Sequence, residues 1–487
     1  MKNKYIILLS AFAFVVTGCK KLDLQPLSAK SVESFYQTKL QIQQAVTACY
    51  GQLQNSFVKN NYSYQLTEAA SDNCFQGTEY DDGPVSRANV SSNLPVLYTA
   101  WSMSYTGIDR CNRILKSIPD IQMDDALTKQ YSGEAKFMRA LFYFDLVRFF
   151  GGVPIVTEPL SIPDSYNVPV STPEQVYDLI VADLTDAAQL LPAAYGDGDI
   201  GRATSWAAKG YLGKVYLFRS GYPLKKNEWD KALAQFNDVI NSGNFEFFPN
   251  YADIYSQLFE TGKQSVFSIR FANTAVGEGN SFPSRNAPNS ISKNDVPYGG
   301  SPYNLFVSSD LVESYEPGDL RKDVAIRFKW LKNTGDTIVN EPFSQKYLNG
   351  PINQNGWDVD WIALSYTDVL MMQAECLNEI GYVADGPAFA TLNLVRQRAG
   401  LNPKTSADVP DQASFRLWME EERRHEFCFE NLRWFDLVRT DRALDVKKNF
   451  LTKYNFSANM KSRDQYIYPI PQRVINVSPV IKQNPGY

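Results

Sequence analysis

The side chains best suited to acid–base chemistry in this sequence of 487 residues lie close together near the carboxyl end. One short segment contains five glutamates: Glu420, Glu421, Glu422, Glu426 and Glu430. Two of them on either side of a glycosidic bond could supply the carboxylate pair of a glycoside hydrolase. Arg423 and Arg424 interrupt the run, however, and such interleaving on a helix is typical of an ion-paired or solvated structural face. We therefore predict a structural role for these glutamates and no catalytic residue.

Nucleophilic and metal chemistry are equally poorly supported. A Ser-His or Cys-His scheme would depend on His425, the only histidine, which lies inside the charged segment where packing or hydrogen bonding is favoured. Apart from Cys19, the cysteines are Cys49, Cys74, Cys111, Cys376 and Cys428. Their number is odd and none has CxxC spacing, so neither a full disulfide framework nor a thiolate zinc site is indicated. We expect no metal and no cofactor.

The first residues have the pattern of a lipoprotein signal peptide, predicted over residues 1–18. Two lysines precede an apolar run that is too short to span a bilayer. The run ends in Val-Thr-Gly immediately before Cys19, which is typical of a bacterial lipobox. We predict that Cys19 is acylated and begins a lipidated tether, residues 19–30, that attaches the protein to a membrane face. An ordinary signal peptide cut near this point is the alternative.

The rest of the chain, residues 31–487, is predicted to form one domain of ordinary globular composition. Its aromatic content is high, at 13% of the whole sequence, and the formal net charge of −5 argues against a nucleic-acid binder. Apolar residues recur at helical spacing in much of the chain. Predicted helices cover residues 34–53, 94–118, 131–150, 173–191, 205–220, 229–241 and 412–432, with a further pair within 366–399.

Two long segments, residues 55–93 and 244–361, show little helical period and are predicted to be irregular insertions. Within the second, residues 265–271 predict a strand. After the last predicted helix, residues 464–487 read as an extended tail, the end of a C-terminal motif region over residues 412–487.

Some helix pairs match the tetratricopeptide pattern in part. Leu212, Gly213 and Tyr216 fit its first helix, and Ala232 and Phe236 fit its second. Small residues are needed there because paired helices approach closely while a ring fills the adjoining gap. We predict a mostly α-helical fold, with four tetratricopeptide-like helix pairs as scaffold, large irregular insertions and minor β structure. The pairs cover about residues 34–118, 131–191, 205–241 and 366–399.

The C-terminal motifs resemble those of a known family. Residues 421–427 (EERRHEF) with residues 433–437 (RWFDL), and the tail residues 468–471 (YPIP) with residues 483–487 (QNPGY), are similar to the signature of the SusD/RagB family. The resemblance implies an outer-membrane, surface-exposed lipoprotein that binds oligo- or polysaccharide. It also implies a partner, a SusC-like TonB-dependent transporter to which the glycan is delivered. One departure is Ser365, which stands where the family often has an arginine, so no sugar contact is assigned there.

If the protein binds glycan, its site is expected where irregular, aromatic and polar sequence coincide. Aromatic faces cover the apolar C–H face of a pyranose, and acid, amide and guanidinium groups hydrogen-bond its hydroxyls. The two insertions together supply the predicted glycan-binding residues Asp72, Asn73, Tyr80, Tyr298, Tyr303, Trp330 and Trp357. The alternatives are a surface glycoside hydrolase and a tetratricopeptide scaffold that binds only proteins.

Overall fold

The computed structural model describes residues 35–59, 62–75, 83–256, 262–272, 279–296, 300, 305–339, 341–348 and 356–487. Most of the described chain is helical. The larger helices are α1 (Lys39–Leu53), α4 (Pro95–Ser117), α5 (Asp125–Phe150), α7 (Pro173–Leu190), α8 (Ser205–Ser220), α9 (Trp229–Asn241), α13 (Tyr366–Ile380), α14 (Pro387–Arg398), α15 (Gln412–Glu426), α16 (Arg433–Arg439) and α17 (Ala443–Lys453).

Short helices connect these elements. They are α2 (Tyr62–Thr67), α3 (Gly83–Ser86), α6 (Ile162–Ser165), α10 (Phe282–Asn286), α11 (Ser309–Ser314), α12 (Leu320–Ala325) and α18 (Gln472–Val477), a π-helical turn (Gln54–Lys59), and 3-10 turns (Ile118–Asp120, Asp197–Asp199, Tyr251–Tyr255, Arg463–Tyr466). The insertions are therefore less irregular than predicted. Residues 55–93 include α2 and α3, whose few turns are too short to show a helical period in the sequence.

Helix starts follow from capping side chains. Thr38 and Gln41 form a capping box at α1, and Thr172 and Gln175 form another at α7. Ser365 caps α13 by accepting a hydrogen bond from the Asp368 N–H at 3.0 Å. Such a cap stabilises a helix by about 1 kcal/mol. The serine that departs from the family pattern thus has a local structural role.

The four predicted helix pairs are packed against one another in succession. α1 packs on α4, α5 on α7, α8 on α9 and α13 on α14, and neighbouring pairs also meet, through α4 with α5, α7 with α8 and α9 with α13. The close approach predicted for α8 and α9 is present, because a Cβ added at Gly213 would lie 2.6 Å from Cε1 of Phe236. This succession is compatible with a tetratricopeptide arrangement.

The charged helix predicted over residues 412–432 ends earlier, at Glu426. Phe429 and Asn431 have φ of 67° and 63°, a left-handed backbone that cannot continue a right-handed helix. The chain therefore turns sharply between α15 and α16. Because of this turn, residues 421–427 and residues 433–437, the two parts of the first C-terminal motif, lie side by side.

Strands are short and pair in twos. They are β1 (Cys74–Phe75), β2 (Ser265–Ile269), β3 (Phe306–Val307), β4 (Ile326–Arg327), β5 (Trp330–Leu331), β6 (Thr337–Ile338), β7 (Phe343–Ser344) and β8 (Trp361–Ser365). The strand predicted over 265–271 is β2, which pairs antiparallel with β8, the strand that leads directly into α13. β1 pairs antiparallel with β3, and Phe75 lies opposite Phe306.

The hydrophobic core runs through the scaffold and into the insertions. α5 is buried along much of its length, and its rings include Phe137, Phe142 and Phe149. No helix within the described ranges is both long and apolar enough to cross a membrane.

Candidate functional site

The charged segment of α15 is buried and ion-paired. Glu422 accepts hydrogen bonds from Arg396 and Arg321, and Glu426 pairs with Arg398. All of these side chains are at most 8% exposed. The predicted ion-paired structural role is confirmed, and the alternative of a solvated face does not apply to Glu422 or Glu426.

His425 packs and hydrogen-bonds as predicted. Its ring stacks on Tyr315 at a centroid distance of 4.2 Å, and its Nε2 lies 3.1 Å from Glu421 and 2.8 Å from the Ser314 hydroxyl. Burial alone would raise the pKa of Glu421, but His425, Arg424 and Arg433 lower it to about 2. A carboxyl with a pKa this low favours the ionised form at neutral pH and is poorly suited to act as a general acid.

Asp72 and Asn73 are buried beneath the same segment. Arg433 donates to both carboxylate oxygens of Asp72, and Arg424 donates from Nε to Oδ1 of Asn73 at 3.0 Å. Burial would raise the pKa of Asp72, but Arg424 and Arg433 hold it well below its usual range. The Asn73 amide donates to Glu68, whose pKa burial raises to about 7. Both predicted sugar contacts are thus occupied by protein partners.

Trp330 and Trp357 are each 1% exposed. The Trp330 indole N–H donates to the Glu341 carbonyl at 2.8 Å, and the Trp357 indole N–H donates to the Ser284 hydroxyl. Neither ring has a face open to solvent, so the stacking predicted for them has no free surface in this structure. Both belong to the hydrophobic core that extends from the scaffold into the second insertion.

The remaining predicted residues, Tyr80, Tyr298, Tyr303 and the lipidation site Cys19, lie outside the described residues. The ends of their segments are described, however. Phe75 closes β1 immediately before residue 76, and Phe306 begins β3 two residues after residue 304. The two predicted insertions therefore meet where β1 pairs with β3.

A cluster of rings surrounds this junction, and we call it the aromatic platform: Phe75, Phe306, Phe450, Tyr454 and Phe456. Phe75 lies 5.8 Å from Phe306 and 5.1 Å from Tyr454 between ring centroids. Tyr454 stacks on Phe456 at 6.0 Å with an interplanar angle of 25°. Phe450 is buried beneath, and the other four rings are partly exposed. Aromatic side chains with open edges or faces at the meeting of two loops suit a ligand surface.

Polar groups border the platform. The Arg87 guanidinium lies 4.7 Å from the Phe456 centroid, and the Tyr454 hydroxyl lies 2.9 Å from the Ser309 hydroxyl. Lys453 and Asn455 are exposed on either side of Tyr454. Asn455 has φ of 54°, a left-handed turn that places Tyr454 and Phe456 in one stack. These groups can donate to and accept from hydroxyls around a ring held on the platform.

Two family models match this chain. The SusD family model matches residues 325–487, and a model described as "Starch-binding associating with outer membrane" matches residues 22–217. The C-terminal motifs fall within the first match. The chain belongs to the SusD family.

Relatives and solved structures agree with this assignment. SusD-like protein P2 of Formosa agariphila is 26% identical over the whole of both chains. A solved laminarin binding SusD-like protein is 25% identical, covers 93% of this chain and 100% of its own, and has a TM-score of 0.78. A SusD homolog from Bacteroides thetaiotaomicron is 24% identical, covers 94% and 99%, and has a TM-score of 0.80. The predicted family and the mostly helical, SusD-like fold class are confirmed.

Sequence reasoning missed the C-terminal half of the platform in this SusD-family protein. Tyr454 and Phe456 follow α17, in a region interpreted only as part of the C-terminal motifs. The available signal was the sequence Lys-Tyr-Asn-Phe at residues 453–456, where rings alternate with polar residues just beyond a helix. As for ions, no cluster of His, Cys, Asp and Glu suited to hold a metal occurs among the residues whose placement is described.

Proposed function

We propose that this SusD-family protein is a lipid-anchored outer-membrane lipoprotein that binds oligo- or polysaccharide at its cell-exterior face. It delivers the glycan to a SusC-like TonB-dependent transporter. The observation that carries the glycan-binding part is the aromatic platform, where partly exposed rings from both insertions and from the C-terminal region meet. A pyranose presents an apolar C–H face that such rings can cover, while the polar groups at the border reach its hydroxyls.

The predicted tyrosines of the insertions fit this location. Tyr303 is three residues from Phe306 and Tyr80 is five residues from Phe75. We therefore keep Tyr80 and Tyr303, and with them Tyr298, in the proposed site. For Asp72, Asn73, Trp330 and Trp357 we propose a supporting role beneath it.

Two observations support glycan as the ligand class. The solved relative at 25% identity is described as laminarin binding, and one matching family model is described as starch-binding. These descriptions support the class of ligand, and the sugar and its linkage are left to experiment. Loop side chains do not fix linkage geometry.

The alternative of a surface glycoside hydrolase has weaker support, and we propose that the protein has no catalysis. Of the glutamates that prompted it, Glu420, Glu422 and Glu426 pair with arginines, and Glu421, which pairs with His425, has a pKa lowered to about 2. Burial raises the pKa of Glu430, but that carboxyl is 7% exposed and already bound by Lys346 and Tyr255. A hydrolase needs one carboxyl with a raised pKa beside the bond to be cleaved. Incubating the protein with the bound glycan and finding no reducing-end products would agree with pure binding. Turnover would contradict it.

A glycan array probed with the mature protein, residues 20–487 without the anchor, tests the binding proposal. Retention of at least one glycan class is expected, and affinity electrophoresis in that polysaccharide should retard the protein. A protein-only scaffold would show neither. Delivery is tested separately by mild-detergent purification of the native lipoprotein, which should recover a TonB-dependent transporter. Repeated recovery of the lipoprotein alone would contradict the partner.

A further inference from the structure

The chain has a second concave surface, a cleft that is partly lined by residues of the C-terminal region. This cleft of about 620 Å³ is enclosed by the turn between α8 and α9, by α13, by α15 and by the segment from α16 to α17. Small-molecule sites typically enclose about 300–1,000 Å³. No platform residue is among the described residues that line it.

The charges in the cleft wall balance. Its lining includes five basic and five acidic side chains. Arg416 pairs with Glu379 at 2.6 Å, Arg442 with Glu420 at 3.0 Å, and Arg439 with Asp436 at 2.8 Å and also with Glu375. A wall whose charges already compensate one another gives no net attraction for an ion. It does offer many hydrogen-bonding oxygens and N–H groups.

The same wall carries apolar surface and one unsatisfied acceptor. Tyr222 and Trp229, both partly exposed, supply the open apolar surface on the side formed by the turn, and Phe415 and Met419 on the side formed by α15 are buried behind the wall. Asn378 lines the cleft and is 3% exposed, and its Oδ1 accepts no hydrogen bond from any described residue. A buried acceptor without a donor destabilises the free protein, and a ligand hydroxyl could donate to it after a small side-chain shift.

We propose that this cleft is a second binding site, for a neutral ligand rich in hydroxyl groups, the chemistry of a short uncharged oligosaccharide. Tyr222 and Trp229 cover apolar ring faces, and the paired carboxylates and guanidinium groups bind hydroxyls. The proposal does not depend on the platform, since the two surfaces share no described residue.

A neutral peptide is the competing occupant, and the cleft is less suited to it. Extended peptides gain most of their affinity from main-chain hydrogen bonds to a strand edge. The walls here are helices, whose main-chain groups bond internally. In the turn, the N–H groups of Tyr222, Lys225 and Lys226 already donate to carbonyls. Only side chains are left to recognise the ligand, and side-chain hydrogen bonds are sufficient for the hydroxyl groups of a sugar.

The cleft continues past Tyr222 into a smaller cavity of about 210 Å³. Tyr222 and Arg439 line both. The Tyr222 ring has Lys225 at 5.9 Å and Arg463 at 6.0 Å from its centroid. This continuation favours an elongated ligand of several sugar units over a single monosaccharide.

Hydrogen–deuterium exchange on the mature protein tests the proposal, using laminarihexaose, maltohexaose, xylohexaose and mannohexaose as probes. Two variants form a matched pair. Ala413→Arg places a long charged side chain at an exposed position that lines the cleft, and Ala390→Arg makes the same change at an exposed position on α14 outside its lining. Neither removes a buried group, so both should unfold at the wild-type temperature.

At least one of these sugars should slow exchange in the α8–α9 turn and the first half of α15. That protection should persist in Ala390→Arg and in a Tyr454→Ala/Phe456→Ala protein, and it should disappear in Ala413→Arg. The proposal is overturned if no probe protects these segments, or if protection survives in Ala413→Arg. Protection by a mixture of neutral peptides, with none by the sugars, also overturns it.

Discussion

Arg433 donates two hydrogen bonds to Asp72, from Nε to Oδ1 at 2.8 Å and from Nη2 to Oδ2 at 2.9 Å, although the two residues are 361 positions apart. Asp72 belongs to the first insertion, and Arg433 begins residues 433–437, the second part of the first C-terminal motif. The pair therefore fixes the strand that leads to the aromatic platform onto the scaffold. The motif that identifies the family thus has a structural function at the site.

Breaking that pair should destabilise the fold. Asp72→Ala leaves the buried Arg433 without its main partner, and removing one member of a buried ion pair costs about 3–5 kcal/mol. Chemical denaturation should show this loss. Asp186→Ala is the control, since Asp186 is 48% exposed in its pair with Lys136 and such pairs contribute about 0–1 kcal/mol. If the Asp72→Ala protein had wild-type stability and no longer bound glycan, the supporting role would be wrong and the original prediction, a direct contact between Asp72 and the sugar, would stand.

Trp330→Ala and Trp357→Ala should lower the stability of the fold and have little effect on glycan binding. Both rings are fully buried, and truncating a buried tryptophan costs about 3–5 kcal/mol. We expect lower midpoints of thermal unfolding for each variant and little change in glycan affinity while it remains folded. Trp330→Phe, which keeps most of the apolar volume, should recover part of the loss. A folded variant with native stability and weakened binding would contradict the supporting role.

Stability should also depend on pH through Lys447, which donates to the Ser71 carbonyl at 2.9 Å beneath the platform. Burial lowers its pKa to about 7, although Asp72 opposes the shift. Between about pH 7 and 10.5 the unfolded chain holds a proton that the folded chain has lost, so this group makes stability rise with pH, by about 1.4 kcal/mol per unit for one full proton.

Lys447→Met removes that contribution. Plotted from pH 7 to 9, the unfolding free energy of the variant minus that of wild type should fall as pH rises, because wild type gains stability from this group and the variant does not. Urea titrations at each pH measure it. A constant difference across this range would show that Lys447 keeps its proton when folded.

The scaffold could be predicted from sequence because its helices are long and their apolar residues periodic. α8 and α9 begin and end where predicted, and the other predicted helices deviate by at most six residues at either end. α16 and α17 were not predicted as helices. α15 ends early because left-handed backbone at Phe429 and Asn431 cannot be predicted from periodicity. Short helices and two-residue strands in the insertions depend on tertiary contacts, so they leave no pattern in the sequence.

The location of the site was predictable only in part. Composition marked both segments as insertions, and the structure shows that they meet where β1 pairs with β3, a contact that the sequence did not predict. Which rings are exposed was not predictable. A tryptophan in a polar segment looks the same in the sequence whether it is part of the hydrophobic core, as Trp357 is, or faces solvent. Tyr454 lies far along the chain and is brought to Phe75 only by folding.

The lipid anchor stays a prediction from the residues before Cys19. Cys19→Ala should abolish acylation and release the protein from the outer-membrane fraction. Fractionation with palmitate labelling measures both effects, and Cys49→Ala, which removes a buried thiol, serves as the control that keeps the label. Continued labelling of the Cys19→Ala protein would contradict the lipobox interpretation.

Calorimetric titration of the array-selected glycan into platform variants tests the central claim most directly. Tyr454→Ala and Phe456→Ala should each weaken binding several-fold, since one ring stack contributes on the order of 1 kcal/mol, and the double variant should show no measurable binding. Tyr454→Phe keeps the ring, and Tyr166→Ala removes an exposed tyrosine that follows α6 and is not part of the platform, so both should bind nearly as wild type does. Unchanged affinity in a folded double variant would contradict the platform as the glycan site.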